Sequence, residues 1–422
     1  MLRPFTIVII SPEYPPHVHE GGLGTHVRAL AVGLAKQGHK VLVFCNHPRS
    51  EFHINDHAVE VHYLSCYGPA GQTQMSPSDA ERVNEYFVNK IRSYFEQAGC
   101  RPDVIHCHGV YGILATEKLA SMYEAALVST VHIVQKQMRM LYQRAFDPII
   151  QDLETRLVNS ADRVIAVSHC TKRILEELYE CDGDKIQVVY NSIDPEWLEH
   201  RATADDLEAM TAEFPANKRI VMFAGRLVAH KGPVPLLRSA EIVVRRINNV
   251  VYAIAGSEYL PEDKKELVNL VQESAALRDN VFFVGQLPRW KLSTLYQIAD
   301  LAVVPSRHES FGYAAVEAMS RGVPTIATDT GGLREILTNG VTGLLVPLDT
   351  TKPILEADVQ SLADAQMLLL EKPCLARRLA DAGREFVTQT FTARQMIAQT
   401  EECYTDAIAS AGKSLRFHIT EA

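Results

Sequence analysis

The sequence predicts an α/β protein built from two doubly wound domains. Three observations carry that expectation. Short runs rich in Val and Ile alternate with amphipathic stretches along the chain, the runs are apolar at successive rather than alternate positions, and the pattern starts afresh near residue 219. Unbroken β-branched runs are what a parallel sheet covered on both faces requires, and the amphipathic stretches between them supply the covering helices. At 422 residues the chain is long enough for two such domains.

The elements follow in order. "FTIVIIS" predicts the first strand, and "GGLGTHVRALAVGLAKQGHK" a helix whose apolar residues recur at three and four and which closes on Gly38. "VLVFC" and "VEVHYLS" are strands, "DAERVNEYFVNKIRSYFEQA" is a helix, and "DVIHCH", "ALVSTVH", "DRVIAVS" and Ile186–Tyr190 complete the first set of strands. Residues 191–218, polar and broken by prolines, form the expected boundary. Beyond it "RIVMFAGRL" (219–227), "VVYAIAG", "NVFFVGQ", "LAVVPS", "VPTIAT" and "GLLVPL" repeat the architecture. This divides the chain into 1–200, 201–390, a helix at 391–412 and a loose tail at 413–422.

Composition narrows the function. The formal net charge is −9 with no basic stripe, so nucleic acid is not expected as a partner, and an anionic ligand has to be met by a few placed cations. The eight cysteines are scattered without a CxxC pair, which points to reduced thiols and a cytoplasmic setting. The apolar run near the N-terminus is short and ends in prolines, as a buried strand does, and no stretch approaches the roughly 20 apolar residues of a membrane span.

Open α/β sheets bind ligands beyond the carboxyl ends of their strands, so the loops there are the candidates for chemistry. In "EGGLGTHV" (20–27) the glycines let backbone N–H groups approach an anion at a helix start, or simply make a tight turn. It fails as a dinucleotide fingerprint, because Val27 stands where a third glycine belongs, and this disfavours a nicotinamide oxidoreductase. "AGRLVAHKG" (224–232) sets Arg226 and Lys231 at a strand end, as phosphate ligands or as a solvated basic loop. In "ESFGYAAVEAMSRGVP" (309–324), Phe311-Gly312 turns into a helix, a seat for phosphate, with Glu309 just before it. Glu317 lies deeper among Ala315, Val316, Ala318 and Met319, where a carboxylate needs hydrogen-bond donors. His106-Cys107-His108 shows too few ligands for a metal, and none is expected. His108 and His132 both sit at strand tips, while Asp182-Gly183-Asp184 reads as a turn.

Together these pieces resemble the retaining glycosyltransferase family GT4, with the GT-B fold, in the superfamily of glycogen and sucrose synthases. The likeness is densest from 283 to 349, and "GGLGTHV", "TVH", "ADRVIAVS" and "VVYNSIDP" extend it over nearly the whole chain. It implies two Rossmann-like domains facing a cleft, the first taking the acceptor and the second the nucleotide sugar, with the helix at 391–412 crossing back to the first. It also implies metal-independent transfer from a nucleotide-diphosphate sugar with retention of configuration, and no further cofactor. By the matching motifs, Arg226 and Lys231 hold the diphosphate with the backbone of Phe311, Gly312 and Tyr313. Glu309 faces the donor sugar, Glu317 binds the ribose, and the backbone at Gln286 and Leu287 reads the base. Gly21 and Gly22 approach sugar and phosphate, and His132 contacts the sugar near its reacting carbon. His108, Gln135 and Arg139 stand on the acceptor side, with loops 67–79 and 133–146 shaping its pocket.

The favoured reading is a UDP-sugar donor giving a hexose or N-acetylhexosamine to a hydroxyl acceptor. The alternatives are a glucan- or sucrose-type synthase using ADP- or UDP-glucose, or a non-catalytic sugar-nucleotide-binding partner. Starch- and glycogen-forming relatives carry a lysine two places before the paired glycines where this chain has His19, which weighs against a polymer synthase. Lys136, Arg139 and Arg144 either meet an acidic acceptor or membrane surface, or form the solvated face of a helix.

Overall fold

The first strand shows why its run is unbroken. In the computed structural model Val8 and Ile10 enter a core on one side of the sheet, Ile7 and Ile9 a core on the other, and all four are almost wholly buried. The structure describes residues 3–18, 21–47, 49–65, 77–142, 147–257, 261–352 and 355–420. His19, residues 67–76 of the loop 67–79, and Arg144 lie outside them.

The chain forms two units, Met1–Asp194 with Ala393–Ala422, and Pro195–Thr392. The first holds β1 (Thr6–Ser11), β2 (Lys40–Asn46), β3 (Phe52–Asp56), β4 (Val59–Leu64), β5 (Val104–His108), β6 (Ala126–Val131), β7 (Arg163–Ala166) and β8 (Ile186–Val188). They form one sheet in the order β3-β4-β2-β1-β5-β6-β7-β8, parallel except where β3 pairs antiparallel with β4. That edge strand escapes sequence reading because "FHIND" alternates in exposure instead of forming an apolar run. Its hairpin turns on His57 and Ala58, both with positive φ (50° and 69°), without the glycine that usually marks such a turn.

The last helix, Ala393–Thr420, belongs to this unit and runs past residue 412, where the sequence places its end. Met396, Ile397, Cys403, Tyr404 and Ala407 fill the core between it, the sheet and the helix Gly22–Lys36. Gly33 makes the two helices' close approach possible, since a Cβ there would lie 2.1 Å from Ile397 Cδ1.

The second unit holds β9 (Arg219–Ala224), β10 (Val250–Ala255), β11 (Val281–Gly285), β12 (Leu301–Val304), β13 (Thr325–Thr328) and β14 (Leu344–Val346). The order is β11-β10-β9-β12-β13-β14, parallel throughout, with a small antiparallel pair at Leu348–Asp349 and Glu356–Ala357 beyond it. Both sheets are the doubly wound type that the sequence predicts.

Candidate active site

In the second unit β10 follows β9 in the chain, yet β12 is its other neighbour in the sheet. The order of strands reverses there, and in open α/β sheets ligands bind beyond the carboxyl ends of the strands at such a point, here β9 and β12. The loop after β9 carries Arg226 and Lys231, and the loop after β12 carries Glu309. These residues, far apart in sequence, meet: Lys231 Nζ donates to Glu309 Oε1 at 2.6 Å, and Ser306 Oγ donates to the same oxygen at 2.9 Å. Burial works against the Glu309 charge, but the Lys231 ammonium and the two hydrogen bonds prevail and hold its carboxyl below the usual range. Arg226 is half-buried in the same loop as Lys231, close enough to His230 to act on its charge. Burial, Lys231 and Arg226 together push the His230 imidazole down to about 3, so this loop carries no further charge at neutral pH.

Two glycines allow the loops to pack so closely. Gly232 has φ 71°, and a Cβ there would lie 1.9 Å from the Pro305 carbonyl oxygen. Gly331 has φ 48°, and its Cβ would lie 2.0 Å from the Glu309 carbonyl oxygen, which also accepts a hydrogen bond from Gly332 N at 2.8 Å. Gly331 and Gly332 escape sequence reading, although "TGG" after a strand is a visible turn signal.

The helix expected to start near Gly312 spans Tyr313–Ser320, with Gly312 as its N-cap. Phe311 and Gly312 are buried, and Glu317, in the second turn, is only 8% exposed. Its Oε1 accepts from an Arg289 nitrogen at 3.0 Å. Arg289 opens the helix Arg289–Ile298 just beyond Gln286 and Leu287, which follow β11. The Arg289 and Arg321 guanidiniums each lie over the ring of buried Trp197, at 4.9 and 5.1 Å, and Trp197 Nε1 donates to Ser320 Oγ at 3.0 Å. Nothing in the sequence pattern links Arg289 to Glu317, so this partner is visible only in the fold.

In the first unit the strand order reverses between β1 and β5. The loop after β1 leads to Gly21 and Gly22 at the start of a helix, β5 ends in His108, and His132 follows β6. Glu13 Oε2 accepts from Gly21 N at 3.2 Å and Gly24 N at 3.1 Å, so the chain's own carboxylate sits on these backbone donors. His108 Nδ1 and His132 Nε2 lie 3.0 Å apart, and the His26 ring packs against both. His106, by contrast, is structural: its nitrogens pair with Tyr404 Oη at 2.8 Å and Thr130 Oγ1 at 2.7 Å. Asp182 caps a single turn through Asp184 N, as its spacing suggests.

Gln135 and Arg139 belong to the helix Gln135–Leu141 and share a shallow depression with Lys136, Asp147 and Ile150. Fully buried Glu154 accepts from Gln135 N at 2.5 Å, from Lys136 N at 2.9 Å and from the Tyr179 hydroxyl, which fixes the start of that helix. Among the described residues, no helix is long and apolar enough to cross a membrane.

Both units have counterparts among known proteins. Residues 207–386 match the family described as "Glycosyl transferases group 1", and residues 20–197 match "Glycosyltransferase Family 4". An alpha-maltose-1-phosphate synthase of Mycolicibacterium smegmatis is 30% identical over 409 residues, covering 94% of this chain and 98% of that protein. A glycogen synthase of Mycobacterium tuberculosis is 28% identical, with 94% of each chain covered. Among solved structures, the sucrose-phosphate synthase from Thermosynechococcus elongatus superimposes with a TM-score of 0.81 at 26% identity, over 96% of this chain and 100% of that one.

Proposed function

The chain belongs to the GT-B-fold glycosyltransferases of group 1 and family 4, retaining enzymes that act on a nucleotide-diphosphate sugar, and from that premise we propose a glucan- or sucrose-type synthase. It moves a glucosyl unit from ADP- or UDP-glucose to a hydroxyl of a saccharide or sugar phosphate. Of the readings set out above, we favour this one over a general UDP-hexose or N-acetylhexosamine transferase, since several relatives matched over nearly their whole length are named as synthases of maltose 1-phosphate, glycogen and sucrose phosphate, although a D-inositol 3-phosphate glycosyltransferase is matched as fully. These relatives outweigh His19, which stands where a polymer synthase is expected to carry lysine.

The observation that carries the mechanism is the Lys231–Glu309 pair, with Arg226 on the same loop as Lys231. The bond from the anomeric carbon to the diphosphate oxygen breaks, leaving an oxocarbenium-like carbon and a diphosphate gaining negative charge. Arg226 and Lys231 neutralise that charge, aided by backbone N–H groups at Phe311, Gly312 and Tyr313. Glu309, ionised and held by Lys231 and Ser306, accepts from sugar hydroxyls, and Glu317, braced by Arg289, accepts from the ribose. Gln286 and Leu287 offer backbone groups to the base. Gly21, Gly22 and His132 serve the sugar from the first unit, with His108, Gln135 and Arg139 toward the acceptor. The acceptor oxygen bonds on the face the diphosphate leaves, which places its hydroxyl proton beside the departing oxygen and accounts for retention. No metal is needed for charge neutralisation in this scheme. The scattered cysteines support a cytoplasmic location.

The test is nucleotide release from ADP-, UDP- and GDP-glucose in chelator, with maltooligosaccharides and hexose phosphates as acceptors and the product anomer read by NMR. Release from ADP- or UDP-glucose with an α-linked product is expected. No release with any glucosyl donor, or a β-linked product, overturns the reading.

A further inference from the structure

The first unit gathers more imidazoles at its strand ends than transfer uses. His26 comes from the helix Gly22–Lys36, His108 from the end of β5 and His132 from just beyond β6, and one nitrogen from each ring lies within 4.8 Å of the others. His26 is 3% exposed and His108 is 1% exposed. Both nitrogens of His26 and Nε2 of His108 are buried without a hydrogen-bond partner. A buried polar atom left unpaired costs about 1–3 kcal/mol, and proteins seldom leave several side by side without something to fill them. His106, two positions back on β5, shows the contrast, with both of its nitrogens taken by Thr130 and Tyr404.

We propose that His26, His108 and His132 form a binding site for a divalent transition cation such as Zn²⁺, with three imidazole nitrogens as its protein ligands. Zinc bound to histidine at about 2.0–2.1 Å takes three protein ligands readily and leaves a position for water. His108 Nδ1 and His132 Nε2 share a hydrogen bond at 3.0 Å, and a cation between them takes the place of the shared proton, with His26 as the third ligand. The three histidines come from separate elements of one unit, two of them strand ends fixed by the sheet, which gives the set a rigid base. Imidazole is a ligand only when neutral, the form that its ordinary pKa near 6.5 favours at pH 7 and above. An all-imidazole set selects Zn²⁺, Co²⁺, Ni²⁺ or Cu²⁺ over Mg²⁺ and Ca²⁺, which prefer oxygen ligands. His132 is half-buried, so solvent reaches the cluster on its side. One consequence rests on the function proposed above: a cation on His132 removes that ring from the donor sugar and so inhibits transfer.

The experiment uses tag-free, full-length protein stripped with chelator and dialysed. It is titrated with Zn²⁺ by calorimetry and with Co²⁺ by visible spectroscopy, with Mg²⁺ as control. One saturable equivalent is expected, with the intense ligand-field bands of low-coordinate, nitrogen-bound Co²⁺ and no response to Mg²⁺. His26→Gln and His108→Gln should each weaken that equivalent by at least about tenfold, while His57→Gln, at an exposed histidine, leaves it unchanged. Should either cluster variant fail to fold, the wild-type Co²⁺ spectrum decides alone. No saturable equivalent, only the weak bands of six-coordinate Co²⁺, or binding unchanged in both folded variants overturns the site. Zn²⁺ that binds as expected without raising the donor KM supports the site and removes His132 from donor contact, so the two readings fail separately.

Discussion

Lys231 sustains the charge of buried Glu309, and Lys231→Ala strands that carboxylate and, on the function proposed above, removes a cation from the leaving diphosphate. Turnover should fall about 10²–10³-fold with the circular dichroism spectrum retained, and Glu317→Ala should show a comparable loss. Arg289→Ala acts one step further out, by releasing Glu317. A rise of about tenfold in donor KM, exceeding any fall in kcat, is its expected signature in steady-state kinetics. His230 supplies a pH test. Its pKa is about 3 when folded against about 6.5 when unfolded, so between those values only the unfolded chain takes the proton. His230 alone therefore contributes a loss of stability below pH 6.5 of up to about 1.4 kcal/mol per pH unit, alongside the other buried histidines. His230→Gln should lessen the slope by that share, and urea unfolding of both proteins at pH 7.5 and 5.5 measures the difference. Arg226, Lys231, Glu309 and Glu317 are legible in the sequence because charged residues at strand ends and in an apolar helix are conspicuous locally. Arg289, Glu13, Glu154 and His26 are not, because what matters about each is a partner distant in the chain.

At the scale of elements, the helix Gly22–Lys36 and the last helix approach across Gly33. Glycine inside a helix is unfavourable by roughly 1 kcal/mol against alanine, so its presence reflects packing rather than propensity. Gly33→Val drives two methyl groups into Ile397 and should lower stability by about 1–3 kcal/mol, seen as a drop in Tm. The strands that form the two sheet interiors are readable from their unbroken apolar runs. β3 is not, because an edge strand has one solvated face and its turn at His57-Ala58 uses positive φ without glycine.

For the whole molecule, Pro195–Thr392 is continuous in the chain and carries its own core, whereas the first unit borrows its final helix from beyond the second. Residues 195–392 produced alone should unfold cooperatively on heating. Residues 1–194 alone should not, because Ile7, Ile9, Leu30 and Leu34 lose the apolar face of the last helix and His106 loses Tyr404. Adding the helix Ala393–Thr420 back in trans should restore a cooperative transition, which scanning calorimetry would show.

By itself the sequence determined the class of each unit, the order of most elements, the strand ends where chemistry gathers and the family, because periodicity and strand-end motifs are local properties. Only the tertiary structure decided that Lys231 and Glu309 share one hydrogen bond, that Arg289 braces Glu317, that Glu13 sits on the glycine turn and that three histidines from a helix and two strand ends converge. Those pairings depend on the order of strands in a sheet, and that order is set by how whole elements pack, which no local run of residues records.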